Sequence, residues 1–195
     1  MKLKVGIIGG TFDPVHLGHL ICADFIREKQ KLDKIIFVPA AIPPHKTNKH
    51  ISQNKQRLSM LRMAVKDNPY FEISEYEIRK GGISYTVDTI HYFKKNSGDD
   101  VKYFLIIGAD NLLDLENWKE PDTIFREVQI LVLRRPGIDV SKAEQRFVER
   151  VTFVDSPVIE ISSSDIRRRI KEYTSIKYLV PKNVEKYIYK RGMYI

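Results

Sequence analysis

Residues 3 to 19 constrain the fold more than any other part of the chain. A β-branched apolar run, Leu3 to Ile8, ends at Gly9-Gly10. After Thr11-Phe12-Asp13-Pro14-Val15 comes His16-Leu17-Gly18-His19, and helical spacing continues from His19 to Lys29. A buried strand that passes through a glycine turn into a helix is the opening of a βαβ unit in a parallel sheet. Such junctions are where open α/β sheets bind ligands. Glycines let a phosphate approach the backbone, and the unpaired N–H groups of a helix start suit an anion. His16 and His19 are three apart, so a turn already helical at His16 would put both imidazoles on one face within reach of one phosphate group. The glycine spacing is not the dinucleotide fingerprint, and no Gly-Lys-Ser/Thr closes it as in a P-loop.

The rest of the chain repeats the alternation. Lys34–Val38, Lys102–Gly108 and Gln129–Leu133 read as strands, Val151–Val154 and Val158–Ile161 as short ones, and Phe71–Glu77 as extended. Ser52 is a candidate cap for a helix to about Lys66. Thr86–Lys95, a short segment from Ala109, Ser163–Glu172 and Pro181–Arg191 have helical spacing, the last with proline in its first turn and Gly192 beyond its end. Pro39 to Pro44 interrupts both patterns, so 39–51 reads as an exposed loop. The expectation is one α/β domain over 1–195: a Rossmann-like open parallel sheet, helices on both faces, and a small C-terminal helical region.

Composition narrows the classes. Lys+Arg 33 against Asp+Glu 25 gives +8, which favours anionic partners without choosing among them. There is no basic stripe interleaved with aromatics and no standard recognition motif, which argues against a nucleic-acid-binding module. No apolar stretch approaches the ~20 residues needed to span a bilayer, and Thr11 and Asp13 break the N-terminal run too early for a signal peptide. The single cysteine, Cys22, forms no internal disulfide, fits a reducing cytoplasm and is expected to be buried and inert on the first helix.

A second segment carries chemistry of its own. In Ile161-Ser162-Ser163-Ser164-Asp165-Ile166-Arg167, Ser162 or Ser163 is a natural N-cap, and the following N–H groups plus Arg167 suit the outer phosphates of a triphosphate. Arg167-Arg168-Arg169 point ~100° apart on a helix, so at most two can serve one site. Together, Gly9-Gly10-Thr11-Phe12-Asp13-Pro14 with His16-Leu17-Gly18-His19, and this serine-rich start, resemble the two signatures of the nucleotidyltransferase superfamily. Pro39-Ala40-Ala41-Ile42-Pro43-Pro44-His45-Lys46, Ser84-Tyr85-Thr86-Val87-Asp88-Thr89, and Ile107-Gly108-Ala109-Asp110-Asn111 leading to Trp118-Lys119 narrow the likeness to the bacterial nicotinate-mononucleotide adenylyltransferases. It covers nearly the whole chain.

The resemblance implies transfer of AMP from ATP to nicotinate mononucleotide, with Mg²⁺ held mainly by phosphates and no protein metal site. It implies that Gly9, Gly10, Thr11 and Phe12 line the nucleotide and that His16 and His19 meet the ATP phosphates. By the same likeness Lys46 reaches phosphate, Tyr85 and Thr86 hold the mononucleotide, and Asp110 binds near ribose or phosphate. Trp118 stacks on the nicotinate ring, and Ser162, Ser163 and Arg167 bind ATP. His16, His19, Lys46 and Arg167 are the catalytic candidates. Family members often self-associate, although no segment here reads as an interface. Mechanistically, a mononucleotide phosphate is already largely dianionic at pH 7, since its second pKa is ~6. It needs position and positive charge for in-line attack, not a base or a covalent intermediate. The neighbouring alternative is another adenylyl or cytidylyl transfer, with nicotinamide mononucleotide or phosphopantetheine as acceptor; the Pro-Pro-His-Lys and Ser-Tyr-Thr-Val-Asp-Thr segments argue against the phosphopantetheine and cytidylyl enzymes.

Overall fold

The strands form because their residues satisfy a sheet covered on both sides. The computed structural model of the chain describes residues 2–44, 51–134 and 137–195. Strands β1 (Leu3–Gly10), β2 (Lys34–Pro39), β3 (Phe71–Ile73), β4 (Val101–Gly108), β5 (Gln129–Leu133) and β6 (Val151–Val154) lie in the order β3-β2-β1-β4-β5-β6. Every neighbouring pair is parallel. Alternate residues supply two cores: Ile35, Phe37, Phe104 and Ile106 face one, while Val5, Ile7, Ile36, Val38, Leu105 and Ile107 face the other. That is the near-continuous apolar pattern of a parallel sheet buried on both faces.

Helices cover each face. The first core takes α1 (Leu17–Lys29), α2 (Asn54–Val65), α8 (Ser163–Lys171) and α9 (Lys182–Lys190). The second takes α4 (Thr86–Ser97), α5 (Ala109–Leu113), α6 (Pro121–Glu127) and α7 (Gln145–Val148). The five-residue α3 (Tyr76–Lys80) precedes the positive-φ pair Gly81-Gly82. This is the Rossmann-like architecture. The chain leaves β1 towards β2 on one side, and β4 begins the other half, so a crevice opens at the C-terminal ends of β1 and β4. No helix of the described residues is long and apolar enough to cross a membrane.

Several local expectations differ. Helix α1 begins at Leu17 with His16 as its cap, two residues before the expected His19. Gln53, not Ser52, precedes α2. The extended segment stops at Ile73, and Glu77 lies in α3. Residues 158–161 form no strand; without a neighbouring strand their backbone groups have no ladder to join. Ala40 and Ala41 are buried beside the end of β2, so the stretch expected as exposed loop starts inside the fold. Lys46 lies outside the described residues.

Candidate functional site

A cavity of about 540 Å³ occupies the crevice. Gly9 and Gly10 of β1, Gly108 of β4 and Leu133 of β5 form its floor. That volume suits an organic ligand the size of a nucleotide. A Cβ at Gly9 would meet nothing within 4 Å, whereas one at Gly10 would come within 2.8 Å of the Phe12 ring. Gly9 therefore keeps the floor open, and Gly10 makes room for Phe12, which is buried with φ +50.

The two histidines come together at the start of α1. Their rings stack with centroids 3.6 Å apart, and Phe12 packs edge-on against His19 at 5.2 Å. The His16 N–H donates to Nδ1 of His19 at 3.2 Å. A ring nitrogen that accepts carries no proton, so this bond assigns the His19 proton to Nε2 and makes His19 a neutral donor. Gly18 protects the pair: a Cβ there would lie 3.0 Å from His16 Nδ1.

Behind the loop, scaffold donors take up its carbonyl oxygens. Ala40 N–H donates to Gly10 O at 2.9 Å. Arg57 donates to Thr11 O at 2.6 Å, Arg167 to Asp13 O at 2.7 Å, and the Ser163 hydroxyl to Pro14 O at 2.8 Å. Arg57 is 0% exposed and also donates to Ala40 O, Ser52 O and Asn54 Oδ1. Burial lowers its pKa and the Asp13 carboxylate beside it raises it; an arginine stays charged in either case. Ser162 caps α8 by accepting from Asp165 N at 3.0 Å. Arg168 and Arg169 both pair with Asp165, while Arg167 turns to the loop, which distinguishes the three. Ser163 and Arg167 thus brace the loop, Ser162 caps α8, and none of the three is among the residues that line the cavity.

The opposite wall is built from α4 and the segment after α5. Tyr85 and Thr86 stand at the start of α4 on the cavity, with Asp110 and half-buried Trp118 nearby on its lining. The buried Trp118 Nε1 has no hydrogen-bond partner among the described residues. Asp88 in the first turn would oppose an anion at this helix start, yet Lys80 and Lys119 both bond to it, Lys119 at 3.1 Å. Burial disfavours the Asp88 charge, but the two lysines outweigh it and hold the carboxyl below its usual range. Deeper, Glu77 is 7% exposed and accepts from the Thr89 hydroxyl at 2.5 Å. Burial pushes its carboxyl up, against the hydrogen bonds from Thr89 and Ser84.

Residues 7–169 match the cytidylyltransferase-like family. The chain belongs to that family. Among relatives of this cytidylyltransferase-like chain, a Moorella thermoacetica protein is 42% identical over 98% of this chain and 91% of its own. A Dictyoglomus thermophilum protein is 43% identical over 99% and 100%. Both carry the name "probable nicotinate-nucleotide adenylyltransferase". A solved Plasmodium falciparum nicotinic acid mononucleotide adenylyltransferase complexed with NaAD superposes with TM-score 0.81, over 98% of this chain and 97% of that one, at 18% identity. At that identity the likeness speaks to the fold alone.

Four residues that matter to this cytidylyltransferase-like site escaped sequence reasoning. Arg57 and Glu77 look like ordinary surface charges on amphipathic segments. Cys22, expected to be buried and inert, is half-buried and on the cavity wall. Arg134, on the same lining, follows β5 directly, and its place at the C-terminal end of a strand was the available signal.

Proposed function

We propose that the protein transfers AMP from ATP to nicotinate mononucleotide, releasing pyrophosphate and forming nicotinate adenine dinucleotide for NAD biosynthesis in the cytoplasm, with residues 1–195 acting as one nucleotidyltransferase unit. The observation that carries the reading is the single cavity running from the glycine–histidine loop to the α4 start and Trp118. One end suits a triphosphate and the other an aromatic acid. The full-length relatives named for this activity support it.

In this proposal Gly9, Gly10, Thr11 and Phe12 line the adenylate, and His16 and His19 face the ATP phosphates. His19 would act through its Nε2–H as a neutral donor. Arg167 has five N–H donors and uses one on Asp13 O and one on Ser164, which leaves capacity for the outer phosphates alongside Ser162, Ser163 and Lys46. Tyr85, Thr86 and Asp110 hold the mononucleotide, and Trp118 stacks on its ring and offers Nε1–H. The mononucleotide phosphate oxygen attacks the α-phosphorus in line; the bond to the β-phosphate oxygen breaks, and its electron pair leaves with pyrophosphate. No base is needed, because the attacking phosphate is already dianionic. Fixed donors around the phosphates stabilise the charge as it shifts. Mg²⁺ would enter with ATP, held mainly by phosphates and water.

The α4 start, its Asp88 charge neutralised by two lysines, favours a carboxylate over an amide. The test is pyrophosphate release with MgATP and, separately, nicotinate mononucleotide, nicotinamide mononucleotide and phosphopantetheine. Strong preference for the first is expected. Equal use of the first two would refute the acid selectivity alone, and no turnover with any acceptor would refute the reaction. His19→Ala should cut turnover ~10²-fold or more with folding intact.

A further inference from the structure

The end of the chain reaches back to the residue at the centre of the phosphate loop. After α9, Met193 is buried, and its N–H bonds to Ile188 O at 3.1 Å, closing the helix end. Tyr194 then adopts φ +67. This left-handed conformation costs a non-glycine residue about 1–2 kcal/mol, which a good contact can offset. Here the compensation is visible: the Tyr194 hydroxyl donates to Asp13 Oδ1 at 2.6 Å, 181 residues away in sequence. Asp13 is buried, and its other oxygen accepts the Ser52 N–H at 3.1 Å. Burial, with the Asp13 charge beside it, pushes the Tyr194 phenol up, so the hydroxyl keeps its proton across the working pH range.

The Asp13 carboxylate is therefore a three-way joint between the glycine–histidine loop, the segment leading into α2, and the chain terminus. Its backbone carbonyl is held by Arg167. A second tie runs beside it, from Leu17 N–H at the start of α1 to Leu179 O at 2.9 Å. These ties act on the Asp13 side chain and the start of α1, whereas Ala40, Arg57, Arg167 and Ser163 hold the loop by its carbonyls.

We propose that Tyr194 is a positioning residue for MgATP: by fixing Asp13 it holds the loop that carries His16 and His19 in its phosphate-accepting shape. This rests on the reading of that loop as the ATP site. A hydrogen bond to a charged group is strong enough for its loss to change loop opening ~10-fold.

The test compares wild-type protein, Tyr194→Phe and Ile188→Val, the last lowering the stability of α9 without touching Asp13. Hydrogen exchange of the peptide covering residues 9–20 should speed up ~10-fold in Tyr194→Phe, with β4 unaffected, and stay near wild type in Ile188→Val. The KM for MgATP should rise in Tyr194→Phe by the factor by which the closed population falls, while that for the mononucleotide stays within twofold. A merely destabilised protein loses Vmax in proportion to its folded fraction and keeps both KM values. Unchanged loop exchange, a mononucleotide KM that rises more than that for MgATP, or an equal exchange shift in Ile188→Val would overturn the proposal. If wild-type protein does not turn over, the functional reading fails by itself, and the exchange comparison still decides whether Tyr194 holds the loop.

Discussion

Replacing Arg57 by methionine keeps the buried stem and removes the guanidinium. In the native structure that group donates to Thr11 O at 2.6 Å, Ala40 O at 2.5 Å, Ser52 O at 3.1 Å and Asn54 Oδ1 at 2.6 Å, with a longer contact to Ala41 O at 3.3 Å. Each bond to a charged donor is worth about 1.5–3 kcal/mol, and a buried acceptor left alone costs about 1–3 kcal/mol. The Asp13 carboxylate also loses a neighbouring positive charge. Against this, the variant no longer buries a cation, which recovers several kcal/mol. The net loss should be about 3–5 kcal/mol, large against a total stability of about 5–15 kcal/mol. Arg57→Lys should recover only part of it, because one ammonium with three donors cannot span acceptors spread over three segments. Urea unfolding followed by circular dichroism measures the difference. A change below about 1 kcal/mol in Arg57→Met would refute the view that this side chain pins the loop.

Other outcomes follow from single contacts. Gly18→Ala should keep or raise thermal stability, since alanine favours helix by ~1 kcal/mol over glycine. It should nevertheless lower turnover ~10-fold by pushing a methyl to 3.0 Å from His16 Nδ1. Full activity in that variant would show that the His16 ring need not sit where it does. Trp118→Phe sacrifices no hydrogen bond from Nε1 to the described residues, so stability should fall by no more than about 1–2 kcal/mol while the mononucleotide KM rises. A large stability loss with unchanged KM would make Trp118 a packing residue. Glu77→Gln tests the buried carboxyl. Burial raises its folded pKa above the unfolded value of ~4.3, so in that window the folded state holds more protons and stability falls as pH rises. Wild-type protein should lose stability relative to Glu77→Gln from pH ~4.5 up to the raised pKa. Parallel stability curves would contradict a raised carboxyl.

What could be read from the sequence was what local periodicity encodes. β1, β2, β4, β5 and β6 are apolar runs, and α9 is bracketed by Pro181 and Gly192, so all were legible to within a few residues. The start of α1 was misplaced because capping preferences point to Ser, Thr, Asp or Asn, whereas His16 takes that position. Phe71 to Glu77 alternates well enough to read as one strand. Three residues pair with β2, and the chain then turns into α3. Val158, Ile159 and Ile161 have strand character but no strand to pair with, and Val158 stays 66% exposed. The candidate site followed the same rule. Glycines, histidines and the serine cap are local features. Arg57 differs from Arg62 on the same helix only through partners such as Thr11 O, 46 positions away. Such a distinction exists only once the sheet has formed.

The contacts behind the loop also bear on how the proposed anion site works when many of the described cations are paired. Much of the chain's positive charge is neutralised locally: Lys80 and Lys119 on Asp88, Arg168 and Arg169 on Asp165, Lys94 on Glu127. Each non-proline residue of a loop carries one donor and one acceptor, Pro14 only an acceptor, and exposed carbonyls would repel a phosphate that the N–H groups attract. In this structure the carbonyls of Gly10, Thr11, Asp13 and Pro14 all receive bonds from Ala40, Arg57, Arg167 and Ser163. Occupying these acceptors removes carbonyl dipoles that would repel a phosphate. Two of those four partners are arginines whose charge adds to the field from behind. If the loop takes the ATP phosphates as proposed, residues that need not touch them set its shape, and mutations at Arg57 and Ser163 should weaken MgATP binding more than mononucleotide binding.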